Sequence, residues 1–264
     1  MTELFFMAAL VGYLAAAAVR IVGTPRPAVS RAADVALWVG LALHLVGIAL
    51  IVVEVRALPV HTPAASIAFL GSVVALGAGL IRTMPRTEVL SGVLVSLASV
   101  MLGISMLLPA DSPSEATALA SVWFPIHALA VFVGLASFAC AFGVSCVFLV
   151  VRQRLKRKNF SSLGRMPSLE GLDQLNTRFV VAGFLSLTLG IAAGGGWAAS
   201  TGGGEGLGPT VAVTLVLWAW YALAVLVRVV GKWRGRLAAV FSVGGFVGVV
   251  VSLGAVMTLL SGWH

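Results

Sequence analysis

The chain has 17 lysines and arginines, and 16 of them fall in alternate gaps between eight apolar stretches. The first gap holds Arg20, Arg26 and Arg31, and the third Arg82 and Arg86. The fifth holds Arg152, Arg154, Lys156, Arg157, Lys158, Arg165 and Arg178, and the seventh Arg228, Lys232, Arg234 and Arg236. The other gaps contain only Arg56. Basic loops resist translocation, so this asymmetry predicts an all-α integral membrane protein, a bundle of eight transmembrane helices with the basic loops in the cytoplasm and both termini outside.

Composition agrees. With 60% hydrophobic and 10% charged residues and a mean hydropathy of +1.08, a water-soluble domain of this length would lack a polar surface. A spanning helix needs about 20 apolar residues to cross roughly 30 Å of hydrocarbon. The candidates are Leu4 to Val19, Val35 to Val53, Ala64 to Ile81, Val89 to Leu108, Val122 to Val151, Phe179 to Ser200, Val211 to Val230 and Leu237 to Ser261. The fifth is long enough to tilt or project beyond the bilayer. The first is short, and predicts either a weaker helix or an Arg20 that snorkels to the interface. Glu3 before the first apolar run and Arg20 after it reverse the flanks of a cleaved signal peptide, so the run is expected to remain as a helix.

A net charge of +8 would suggest nucleic acid for a soluble protein. Here its partition by loop makes it an insertion signal, and no nucleic-acid partner is expected. The run Arg152 to Lys158 reads as a stop-transfer cluster, with anionic lipid or a cytoplasmic partner as the alternative. No low-complexity linker divides residues 1–264, so a single transmembrane helical domain is expected. Cys140 and Cys146 are separated by about 240° around a helix and read as small buried apolar residues, with no zinc or thioredoxin-like spacing. Ser168 and Glu170 in "MPSLEGLD" fit an ordinary helix start, with a docking motif as the alternative. No Ser/His/Asp set, P-loop or zinc motif supports catalysis, and Gly194 to Gly196 reads as close helix packing.

Polar residues at membrane depth carry the functional reading. His44 lies near the middle of the second stretch, where an ionisable side chain is costly unless neutral and partnered. His127 lies about 8 Å inside the start of the fifth, and His264 follows the eighth at the same expected face, as His61 follows the second. Two neutral imidazoles on separate helices at one face can supply the two axial nitrogens of a low-spin haem iron. Each can equally be an interhelical hydrogen-bonding group.

The stretches "WFPIHALAVFVGLASFACAFG" (Trp123 to Gly143), "MPSLEGLDQLNTRFVVAGFLSLTLGIAAGGGWA" (Met166 to Ala198), "WAWYALAVLVRVVGKWRGRLAA" (Trp218 to Ala239) and "LLSGWH" (Leu259 to His264) together resemble the cytochrome c assembly membrane proteins, the CcsA/CcmC superfamily. The resemblance covers about the last 140 residues, and extends loosely to the "LH" of His44. It implies a multi-pass protein of the bacterial inner membrane that handles non-covalent, b-type haem at the outer face. Residue by residue, it makes His127 and His264 the outer axial ligands and His44 an inner haem ligand, with Leu226 where the family has a second membrane histidine. In the family a tryptophan-rich "WWD" loop holds the porphyrin. Here "WAASTGGGEGLGPT" keeps Trp197 and Pro209 at the edges and lacks the central tryptophans and aspartate. That loss resembles the HemX and YpjD branch of the superfamily.

Three functions follow as expectations. The first is a haem-binding protein of cytochrome c assembly, partnered by cytochrome c or by a second membrane subunit with an outer domain. The second is a non-catalytic regulator or scaffold of haem biosynthesis, which meets a cytoplasmic haem-biosynthesis enzyme through Arg152 to Arg178. The third, a permease with His44 as its midplane site, lacks the internal repeats and broken helices of many transporters.

Overall fold

The computed structural model describes residues 2–23, 26–55, 62–108, 122–158, 167–200, 208–229, 231 and 234–261, with backbone alone at 209–210, 229 and 253–261. Among these lie eight helices: α1 (Thr2–Val22), α2 (Pro27–Val55), α3 (Pro63–Arg82), α4 (Glu88–Leu107), α5 (Trp123–Lys156), α6 (Leu169–Ser200), α7 (Pro209–Val229) and α8 (Arg236–Ser261). Seven of them, α1 to α7, are long and apolar enough to cross a membrane, and α8 is apolar over Arg236–Ser252. The chain is a multi-pass membrane protein. Its helices group into two compact units, one formed by α1–α4 with the end of α5 from Val150, the other by α5 up to Leu149 with α6, α7 and α8.

In the first unit α1 lies against α2 and α4, and α3 packs along α4. Ala9, Tyr13, Leu37, Val74, Leu90, Leu94 and Leu102 form its interior. Helix α3 starts where its sequence dictates: the Thr62 side chain caps the amide of Ala65 at 3.1 Å and Pro63 occupies the first turn, where no amide is needed.

Arg20 differs from the snorkelling expectation. It is 4% exposed and turned into the unit, donating to Ser91 Oγ at 2.7 Å and pairing with the Asp34 carboxylate at 2.7 Å. Arg82 pairs with the same carboxylate at 3.0 Å and with Glu88 at 3.7 Å. A guanidinium buried beside a carboxylate and a hydroxyl avoids the cost of an isolated charge, so α1 ends anchored to α2 and α4. The same pairing lets α2 begin eight residues before the apolar run, with Arg31 and Asp34 in its first turns.

In the second unit Phe138 and Tyr221 stack at 3.4 Å between ring centroids, and Phe142 stacks on Phe246 at 4.8 Å. One buried amide ties all four helices. Asn176 on α6, 3% exposed, donates from Nδ2 to the Ala141 carbonyl at 2.9 Å and to Ser145 Oγ at 2.6 Å on α5. Its Oδ1 accepts from Ser242 on α8 at 3.1 Å and from the Arg228 guanidinium on α7. Arg228 also donates to Thr177 and lies 3.8 Å from Asp173, and Asp173 accepts from the Gly235 amide at 3.0 Å. These partners make the segment Leu169 to Arg178 helical, although its polarity reads as a cytoplasmic connection. Ser168 immediately precedes α6 and Glu170 lies in its first turn, as the helix-start pattern predicts. Cys140 is buried as expected, while Cys146 is only half-buried, and both are free.

Candidate functional site

The first turns of α5 meet the last turns of α6. Pro125 is accommodated there because the amides of a helix's first turn have no intrahelical acceptor. Residues three and four apart on a helix share a face, so Trp123, Phe124 and His127 form one cluster on α5. Opposite them on α6, Gly190, Gly194 and Trp197 follow at the same spacing.

His127 Nδ1 bonds the Gly190 carbonyl at 2.7 Å. A carbonyl only accepts, so Nδ1 carries a proton, and in the neutral imidazole Nε2 is the nitrogen with the lone pair. Such a hydrogen bond is the usual way a ligating imidazole is held in one tautomer and orientation. The contact needs a bare backbone on α6: a Cβ at Gly190 would stand 2.8 Å from Val131 Cγ2, and one at Gly194 2.8 Å from His127 Nδ1. Gly195, turned away, has open space around it, whereas Gly196 faces the Trp123 ring. The expected close packing at Gly194 to Gly196 is therefore made by two of the three glycines.

The Trp197 ring lies 6.3 Å from the His127 ring, inclined by 31°, and 5.0 Å from Phe124. His127 is half-buried and Trp123 exposed. An imidazole with a free Nε2, bordered by two tryptophans and a phenylalanine, has the donor chemistry and the apolar faces that a haem requires. Trp123 and Phe124 were not singled out from the sequence, although "WFPIH" placed them on the face of His127.

His44 lies in the other unit and has a different setting. It is 0% exposed, with Phe6 edge-on at 5.4 Å and Tyr13 at 5.9 Å. The Tyr13 hydroxyl lies 3.2 Å from Nδ1. Nε2 makes no hydrogen bond among the described residues. A Cβ at Gly71 would come 3.7 Å from the ring. His61 and His264 lie outside the described residues, as does the glycine-rich segment 201–207. Leu226 is 57% exposed on α7. Among the described residues no three His, Cys, Asp or Glu side chains gather into a metal site.

A family model described as cytochrome C assembly protein matches residues 39–264. The chain belongs to the cytochrome c assembly protein family. The match includes His44, His127, Trp197 and His264. Among curated relatives, "Cytochrome c biogenesis protein CcsA" of Prochlorococcus marinus (strain NATL2A) is 33% identical over 96 residues, 36% of this chain and 30% of the relative. CcsA of Gloeothece citriformis (strain PCC 7424) is 34% identical over 104 residues, 39% of this chain and 32% of the relative. CcsA of Thermosynechococcus vestitus (strain NIES-2133 / IAM M-273 / BP-1) is 35% identical over 104 residues, 39% of this chain and 33% of the relative. The matched stretches thus span about a third of the length of these curated relatives.

Proposed function

We propose that this member of the cytochrome c assembly family binds haem at the ends of α5 and α6 and holds it for cytochrome c assembly. The observation that carries the reading is the His127 Nδ1 to Gly190 hydrogen bond of 2.7 Å, which in the neutral imidazole reserves the Nε2 lone pair for a metal. His127 would be one axial ligand and His264 the second. Trp197, with Trp123 and Phe124, would cover the porphyrin where the family's tryptophan-rich loop is replaced by a glycine-rich sequence. Bound there, haem would supply an iron that takes imidazole nitrogens and a ring available for transfer. The protein's part is positional. Gly190 fixes the proton on Nδ1, Gly194 leaves room for the ring, and the aromatic groups keep water from one edge.

The charge asymmetry supports placing this end of the bundle outside the cytoplasmic membrane, with both termini there. A partner with an outer domain, or the apocytochrome itself, would then approach the cluster from that side. His44, enclosed by Phe6, Tyr13 and α3, would serve an inner haem only after that packing opened, so the proposal rests on His127.

The test is an absorption spectrum of the detergent-purified protein from haem-replete cells, oxidised and reduced, with haem per chain measured. About one low-spin haem is expected. His127→Ala should lose it or turn it high-spin, while the haem-free forms of variant and wild type melt within a few degrees of each other. A colourless wild type that cannot be loaded with haem would reject this reading and favour a regulatory scaffold acting through its basic face.

A further inference from the structure

At the end of the second unit away from His127, where α6 starts, α7 ends and α8 starts, lies a cleft of about 630 Å³. Its chemistry is unlike that of the haem cluster. Phe148 supplies an apolar wall, and Arg178, Arg228 and Arg234 bring three guanidinium groups to one space.

The acids on the same lining are already engaged. Asp173 faces Arg228 at 3.8 Å and accepts from the Gly235 amide at 3.0 Å, and Glu170 accepts from Gln174 at 3.4 Å. Arg228 is held by Asn176 and Thr177 besides, with its side chain 7% exposed. Arg178 and Arg234 are exposed and form no ion pair among the described residues. Three arginines against two carboxylates leave the lining with one net positive charge. Gly235 turns the chain with φ 71°, a conformation costly for other residues, and this turn sets Arg234 at the cleft.

Two guanidinium groups sharing a space repel each other, and an anion placed between them removes that cost while using both planar forks. We propose that this cleft binds a phosphate group, with Arg178 and Arg234 as its ligands, Arg228 behind them and Phe148 against the adjoining carbon atoms. The single net charge matches a monoanionic phosphodiester. Basic pockets among transmembrane helices on the cytoplasmic side take anionic headgroups, and the charge asymmetry predicts this side for the cleft. A phospholipid headgroup and free phosphate share the chemistry, and the experiment separates them.

The full chain is purified in detergent and its thermal unfolding followed by tryptophan fluorescence, while dioleoylphosphatidylglycerol is titrated into dioleoylphosphatidylcholine mixed micelles. Inorganic phosphate is titrated in a second series at constant ionic strength, without phosphatidylglycerol. Phosphatidylglycerol should raise the wild-type Tm by several degrees. The variant Arg178→Gln with Arg234→Gln should need at least tenfold more of it for half of the shift. The pair Lys156→Gln with Arg157→Gln, exposed at the end of α5, should need less than twofold more. A shift from inorganic phosphate that the Arg178/Arg234 variant abolishes identifies free phosphate as sufficient. Stabilisation by phosphatidylglycerol alone identifies the lipid headgroup. Both arginines are exposed, so the variant should fold, and its Tm in phosphatidylcholine verifies that. The proposal is overturned if neither anion stabilises the wild type, if the Arg178/Arg234 variant responds like the wild type, or if both variant pairs weaken equally.

Discussion

His127 on α5 and Gly194 on α6 are so close that a single added carbon would touch the imidazole, 2.8 Å from Nδ1. Replacing a helix-interior glycine with alanine ordinarily stabilises a helix by about 1 kcal/mol. Gly195, with open space around it, should show that gain, and Gly194 should not. Gly194→Ala is expected to push the imidazole off the Gly190 carbonyl, lower the Tm relative to Gly195→Ala, and reduce haem per chain at least fivefold. Equal melting temperatures and equal haem for the two variants would show that the ring needs no bare backbone there.

Asn176 concentrates the polar cohesion of the second unit, because its amide serves α5, α7 and α8 at once. Asn176→Leu would leave the Ala141 carbonyl and the Ser145 and Ser242 hydroxyls with lost partners and remove an acceptor from the Arg228 guanidinium. Unsatisfied buried groups cost about 1–3 kcal/mol each, so a loss of about 3 kcal/mol is expected. Ser242→Ala removes one neutral hydrogen bond and should cost about 1 kcal/mol. Chemical unfolding in mixed micelles would rank the two, and a Ser242 effect as large as that of Asn176 would contradict the shared-amide account.

Much of this architecture could be read from the residues before the coordinates. The apolar stretches located all eight helices because their spacing and length are imposed by the bilayer. The true limits of α2 and α6 could not be read, since Arg31, Asp34, Asp173 and Asn176 have the polarity of loop residues. They are helical because Asp34 meets Arg20 and Arg82, and Asn176 meets Arg228, through contacts distant in sequence. His127 stood out as a polar residue near a helix end, Trp197 only through the resemblance to the edge of the family's tryptophan-rich loop, and the structure brings them together. The Gly190 carbonyl carries no such signal, because its role depends on the register of α5 against α6. His264 lies outside the described residues, and its place as the second ligand remains part of the proposal.

Asp34 is shared by two arginines, so the two sides of the Arg20–Asp34 pair should respond unequally. Arg20→Met removes a buried charge yet leaves Asp34 paired with Arg82 at 3.0 Å, so no carboxylate is left without a partner, the condition that makes breaking a buried pair costly. Asp34→Ala leaves the buried Arg20 without its carboxylate, a change that costs about 3–5 kcal/mol for buried pairs. The expected order is therefore a cost of about 1 kcal/mol for Arg20→Met against several for Asp34→Ala, and the double variant should recover most of the difference. Unfolding in detergent measures all three. Equal losses from the two single variants would mean that Arg82 does not satisfy Asp34 once Arg20 is gone.

Tyr13 and His44 allow the packing and haem readings of the inner histidine to be separated. Tyr13→Phe removes only the hydroxyl 3.2 Å from Nδ1, and leaving a buried imidazole without that bond should cost about 1–2 kcal/mol. Replacing both members with apolar groups removes the unmet hydrogen-bonding demand, so Tyr13→Phe with His44→Leu should be more stable than Tyr13→Phe alone. If His44 only packs, the double variant keeps the haem content and reduced spectrum of the wild type. If His44 ligates a second haem, the same variant loses that haem although it is stable, and the enclosed ring seen beside Phe6 and Tyr13 must open to admit it. Haem per chain, with Tm measured on the haem-free forms, distinguishes these outcomes, because bound haem itself raises Tm and only a damaged fold lowers the Tm of the haem-free protein.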